Sequence, residues 1–193
     1  MNRKTFYASF ASLTAVLASG TALAHPGGAH VHGFIDGLTH PLTGMDHLLA
    51  ALSVGLFAGL LSGKARLGLP VLFAAVLAIG IGLGVTLGIP AWELGLAASV
   101  VALGGAVAFA PRLTNQVGAL VATVAVVVTG LVHGHAHGAE LPSDSGAIAY
   151  ALGLVAGSST VVGLGLGVAR TQGASPTPQA GLAVGLGGLA LLG

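Results

Sequence analysis

Cysteine is absent from this 193-residue chain. Disulfides, thiolate metal sites and iron–sulfur clusters are therefore excluded, and any metal must be held by nitrogen and oxygen. A thiolate-based copper(I) handler goes with them. Charge is almost absent as well: six Lys and Arg against five Asp and Glu, 6% of the residues, far below the quarter or so that a soluble domain carries. There is no basic run to bind nucleic acid, and the net charge of +1 says little about partners. No GxxxxGK[ST] stretch occurs, which rules out ATP hydrolysis by a P-loop. What fills the chain is apolar: 54% hydrophobic residues, 33 glycines and a mean hydropathy of +0.97. Such a composition belongs in a lipid bilayer, and the expected fold class is all-α, a polytopic membrane helical bundle.

Residues 1–24 read as a signal peptide. Arg3 and Lys4 precede an apolar stretch from Phe6 to Ser19, and Ala22-Leu23-Ala24 has the small-x-small pattern of a cleavage site. Cleavage makes His25 the mature N-terminus; an uncleaved signal anchor is the alternative. Residues 25–193 then form a single transmembrane domain. With roughly 20 residues needed to cross a bilayer, spans are expected near 42–62, 69–89, 91–110, 115–134, 146–169 and 178–193. That makes about six helices, the last being the shortest in apolar length. Pro70, Pro90 and Pro111 are placed at helix starts, where a missing amide proton costs least. Glycines four apart (Gly55 and Gly59, Gly84 and Gly88, Gly163 and Gly167, Gly181 and Gly185) suit close helix packing in lipid.

The few charges are sorted. Lys64, Arg66, Arg112 and Arg170 fall in alternate loops, which the positive-inside rule assigns to the cytoplasm. Asp36, Asp46, Glu93, Glu140, Asp144 and all eight histidines fall on the opposite side. The mature N-terminus is then periplasmic.

The chemistry concentrates in two motifs. The first is His40-Pro41-Leu42-Thr43-Gly44-Met45-Asp46-His47. Ionisable groups in a hydrocarbon core are costly and usually mark a site or a pathway, and imidazole with carboxylate suits nickel, cobalt or zinc. On a regular helix His40 and His47 share a face but lie on the order of 10 Å apart along the axis. Pro41 and Gly44 would let the chain bend and close that gap. The structural alternative makes His40 a cap, with Asp46 and His47 hydrogen-bonded to a neighbour. The second motif is His133-Gly134-His135-Ala136-His137-Gly138-Ala139-Glu140. If it is helical, His133, His137 and Glu140 share one face and His135 points away; two histidines four apart can hold one metal ion. An exposed Gly/His loop is the alternative. Glu93, in Pro90-Ala91-Trp92-Glu93, is either a ligand or proton carrier at the same depth or an acid favoured by the helix dipole. The segment His25-Pro26-Gly27-Gly28-Ala29-His30-Val31-His32 reads as a Gly-rich tail able to capture metal.

Taken together, HPxxGxDH, the Pro-x-x-Glu helix start and HGxAHGxE resemble the HupE/UreJ family of hydrogenase and urease accessory membrane proteins, across essentially the whole mature chain. The resemblance implies a nickel, sometimes cobalt, permease of the bacterial inner membrane. It would be a transporter, not an enzyme, with Ni2+ or Co2+ as cargo and no catalytic cofactor, linked indirectly to hydrogenase or urease maturation proteins. It maps the metal ligands onto His40, Asp46, His47, Glu93, His133, His137 and Glu140. Where many relatives carry a further histidine in the fifth helix, this chain has Gly157-Ser158-Ser159-Thr160-Val161-Val162-Gly163, which offers hydroxyls only. A membrane metalloenzyme with histidine boxes, and an accessory protein that binds metal without moving it, are the competing readings. Oligomeric state is left open.

Overall fold

The computed structural model describes residues 33–87, 89, 93–113, 115–141, 146–171 and 178–191. The signal peptide and the His25 to His32 tail lie outside the described residues. Within them the chain is all-helical: α1 (Phe34–Thr43), α2 (Met45–Leu60), α3 (Gly63–Leu87), α4 (Glu93–Phe109) with a 3-10 turn at Ala110–Arg112, α5 (Asn115–Glu140), α6 (Ala147–Thr171) and α7 (Pro178–Ala190).

Among the described residues four helices are long and apolar enough to cross a membrane, those at Gly63–Leu87, Glu93–Arg112, Asn115–Glu140 and Ala147–Thr171. A fifth span is reached if α1 and α2, which meet at 85°, count as one broken crossing. The first expected span is thus a bent pair rather than a straight helix. The sixth is represented by α7, an apolar helix of 13 residues, well short of the length that spans a bilayer unaided. Pro70 is not at a helix start: α3 begins at Gly63, which has φ +58, and carries Pro70 inside. Only the bond to the Arg66 carbonyl is thereby lost, and the helix continues. Pro111 does sit in the first turn of its 3-10 segment. Pro90 lies outside the described residues.

In lipid, apolar side chains gain little by leaving one hydrocarbon for another, so helix pairing depends on close approach. The most extensive pairings are α3 with α5, α2 with α6, α4 with α7 and α1 with α6, and glycine makes each of them. A Cβ on Gly134 or Gly138 of α5 would strike the carbonyls of Leu77 and Ile81 on α3, and one on Gly84 would strike the His135 carbonyl. A Cβ on Gly55 of α2 would strike the Val162 carbonyl of α6 and one on Gly59 the Ala169 methyl, and Gly37 and Gly153 lock α1 against α6. Gly104 of α4 and Gly181 of α7 approach backbone to backbone. Gly163 and Gly167, expected as a packing pair, have nothing within 4 Å; the packing glycines of α6 are Gly153, Gly157 and Gly165. A four-residue spacing identifies a helix face, but only the neighbours determine whether that face is covered.

The helices direct the polar ends. α5 begins just after Arg112 and carries His133 and His137 at its far end, while α6 begins at that far end and finishes at Arg170. Between the two ends lies a dense apolar core that includes Val54, Phe57, Phe73, Leu103, Val126 and Val161.

Candidate metal centre

The break at Gly44 creates the site. Gly44 is extended (φ −94, ψ 120), so α1 stops and α2 restarts in a new direction. The His40 carbonyl keeps its helical bond from the Gly44 amide at 3.4 Å and also accepts from Thr43 Oγ1 at 2.8 Å, which closes the last turn of α1. The turn comes at Gly44 rather than at Pro41, which is buried inside α1. A Cβ on Gly44 would lie 2.7 Å from His47 Nδ1 and 3.1 Å from Asp46 Oδ1. Absence of a side chain there is what lets the Asp46–His47 pair fold back over the turn.

The bend does what the spacing alone could not. The ring centroids of His40 and His47 are 5.5 Å apart, and α5 delivers His133 and His137 to the same place. His47 is central: its centroid lies 4.2 Å from that of His137 and 5.0 Å from that of His133, and His40 is 4.8 Å from His137. Among the described residues two groups have ligand atoms all within 4.8 Å of one another, His40 with His47 and His137, and Asp46 with His47 and His133. They share His47. His133 and His137 are 2% and 4% exposed.

Hydrogen bonds set which nitrogens are available. His47 Nδ1 lies 2.7 Å from Asp46 Oδ1. An ionised carboxylate can only accept, so Nδ1 carries the hydrogen and Nε2 the lone pair. His47 Nε2 is buried and has no hydrogen-bond partner among the described residues. A buried lone pair without a partner is costly, and a cation is the partner that this atom fits. The acid also sits in the first turn of α2, where the helix dipole favours a negative charge.

Residues 13–192 match the HupE / UreJ protein family. The chain belongs to the HupE/UreJ family. Protein HupE of Rhizobium leguminosarum bv. viciae is 39% identical over 194 residues, an alignment that covers 95% of this chain and 98% of that relative. No solved structure matches.

In this HupE/UreJ protein, five of the seven residues singled out from sequence converge: His40, Asp46, His47, His133 and His137. Glu93 and Glu140 stand apart from both groups, exposed at the first residue of α4 and the last of α5. His135 also stands apart, with its Nε2 buried and no hydrogen-bond partner among the described residues. Of the three consecutive hydroxyls of α6, Ser158 is buried, and the other two bond to their own helix. Ser159 Oγ donates to Val155 O at 2.7 Å and Thr160 Oγ1 to Ala156 O at 2.9 Å, both at exposed positions. Two neighbours of the cluster belong to none of the motifs. The ring of Tyr150 lies edge-on to His40 at 5.8 Å, and Ser99 Oγ lies 3.1 Å from His133 Nε2. Neither is signalled in a single sequence, because a serine within an apolar helix more often bonds to its own backbone.

Proposed function

We propose that this HupE/UreJ protein is an inner-membrane permease for a divalent transition metal, nickel or cobalt, that supplies metalloenzyme maturation, with the mature N-terminus in the periplasm. The observation that carries this reading is the pair of three-ligand groups sharing His47 at a break in an apolar span. Imidazoles with one carboxylate are the donors that these borderline ions prefer when thiolates are absent. Discontinuous helices near the membrane interior are a recurrent place for ion sites in transporters.

The two groups form successive stations. His137 lies one helical turn nearer the end of α5 than His133, so the His40, His47 and His137 group is the outer station and the Asp46, His47 and His133 group the inner one. With Nδ1 of His47 committed to Asp46, one lone pair serves both stations. A single ion is therefore handed on rather than two held at once. Glu93 and Glu140, exposed at the ends of their helices, act as carboxylates that gather cations before entry. Beyond the inner station Val54, Phe57, Leu103 and Val126 fill the bundle. A bare ion cannot enter hydrocarbon, so release on the other side requires the helices to repack.

Expression in a bacterial strain lacking nickel uptake tests the reading. Wild type should raise cell-associated nickel and His47→Ala should not. A wild type that gives no gain sinks the assignment as a permease; nickel bound by purified protein without uptake would favour an accessory protein instead.

A further inference from the structure

The most buried histidine of the cluster is held by a residue outside every motif. His133 Nε2 lies 3.1 Å from Oγ of Ser99, a 5% exposed serine on α4. The same Oγ lies 2.7 Å from the carbonyl oxygen of Leu96. A carbonyl has no hydrogen to give, so that contact takes the one proton of the serine hydroxyl. Toward His133 the hydroxyl retains only lone pairs. The hydrogen between Oγ and Nε2 must then come from the imidazole. A neutral ring with its hydrogen on Nε2 has its lone pair on Nδ1.

We propose that Ser99 is a positioning residue that holds His133 in the Nε2-protonated tautomer and so presents Nδ1 to the cation held with Asp46 and His47. The proposal rests on the reading of the cluster as a divalent-metal site. Ser99 does for His133 what Asp46 does for His47, but on the opposite ring nitrogen: one ring offers Nδ1 and the other Nε2. The two acceptors differ in charge, which has a consequence for the ion. A second carboxylate would draw the cation more strongly and hold it longer, whereas a neutral serine aligns the ring without adding to that attraction. A transport site benefits from that difference, because what it binds it must also release. Ser99 reaches His133 from α4, so the inner station depends on three helices, α2, α4 and α5, although α4 supplies no ligand to it.

The test uses the full-length protein in lipid nanodiscs, labelled with 15N-histidine, with the His133 resonances assigned by their loss in His133→Asn. In metal-free wild type, His133 should show a protonated-type Nε2 and an unprotonated-type Nδ1. Ser99→Ala should move it to the other tautomer or to a mixture, and Ser99→Thr, which keeps the hydroxyl, should restore the wild-type pattern. Ni2+ titration should show binding about 10- to 100-fold weaker in Ser99→Ala, the usual cost of losing the acceptor behind a metal-binding histidine, with Ser99→Thr close to wild type. A wild-type His133 protonated at Nδ1, or a Ser99→Ala protein with unchanged tautomer and unchanged affinity, overturns the proposal. If Ser99→Ala does not fold, the wild-type tautomer and the Ser99→Thr titration still decide. If wild type shows the expected tautomer but binds no Ni2+, the metal reading fails and Ser99 is a structural partner of His133 alone.

Discussion

Asp46 and His47 are consecutive residues whose side chains bond to each other at 2.7 Å across the first turn of α2, leaving the buried Nε2 of His47 as the free atom. The pair works as a unit: the acid accepts the hydrogen bond that Nδ1 donates, and the ring is aimed by it. Since His47 also belongs to both ligand groups, substitutions around it should fall into distinct classes.

Removing His47 removes a ligand from both stations at once. His47→Ala should abolish Ni2+ binding and uptake, whereas His40→Ala and His133→Ala, each confined to one group, should leave measurable residual binding. Isothermal titration of the purified proteins checks this, and a His47→Ala protein that binds as well as His40→Ala would count against the shared ligand.

Asp46 and His135 make a second comparison. Asp46→Ala, which removes a member of the inner group as well as the partner that orients His47, should weaken metal binding by at least the roughly 10- to 100-fold that loss of an orienting carboxylate costs, and should lower uptake in parallel. His135→Ala, on the far side of α5 from the cluster, should retain wild-type uptake. Equal losses in the two variants would contradict the division of the α5 face.

At Gly44 the expected damage is local. In Gly44→Ala the new methyl meets His47 Nδ1 and Asp46 Oδ1, so the pair must move and metal binding should fall sharply. Membrane insertion and helical content by circular dichroism should stay close to wild type, because the nearest atoms to the new methyl belong to the Asp46 and His47 side chains. A Gly44→Ala protein with unimpaired binding would show that the turn tolerates a side chain.

Thermal unfolding in detergent separates packing glycines from idle ones. Gly134→Leu and Gly138→Leu drive a side chain into the α3 backbone and should destabilise by at least the roughly 1–3 kcal/mol typical of overpacking. Gly163→Leu and Gly167→Leu, which face open space, should unfold within a few degrees of wild type.

Much of this was legible in the residues. The scarcity of charge pointed to membrane helices, and the i, i+4 spacing of His133 and His137 placed both on one face of α5, which is where they are found. Pro41 and Gly44 signalled a bend that would bring His40 toward His47; the bend is present, but at the glycine. What periodicity cannot supply is the identity of a neighbour. Ser99 meets His133 because α4 crosses α5 at that level, and the residues between them in the chain carry no trace of it. Glu93 shares an end of the bundle with the cluster, but its place at the first residue of α4 leaves it outside both ligand groups. The shortness of α7, 13 residues, follows the short apolar stretch of the last expected span.

The glycine contacts that pair the helices also partition the cluster. His40, Asp46 and His47 ride on the block of α1, α2 and α6; His133 and His137 ride on the block of α3 and α5; Ser99 rides on that of α4 and α7. Within each block the helices meet through close backbone contacts, and the blocks meet one another less extensively. The histidines straddle the seams between blocks. A tilt of one block against another would lengthen several ligand distances together, loosening the grip on a cation without distorting a single helix.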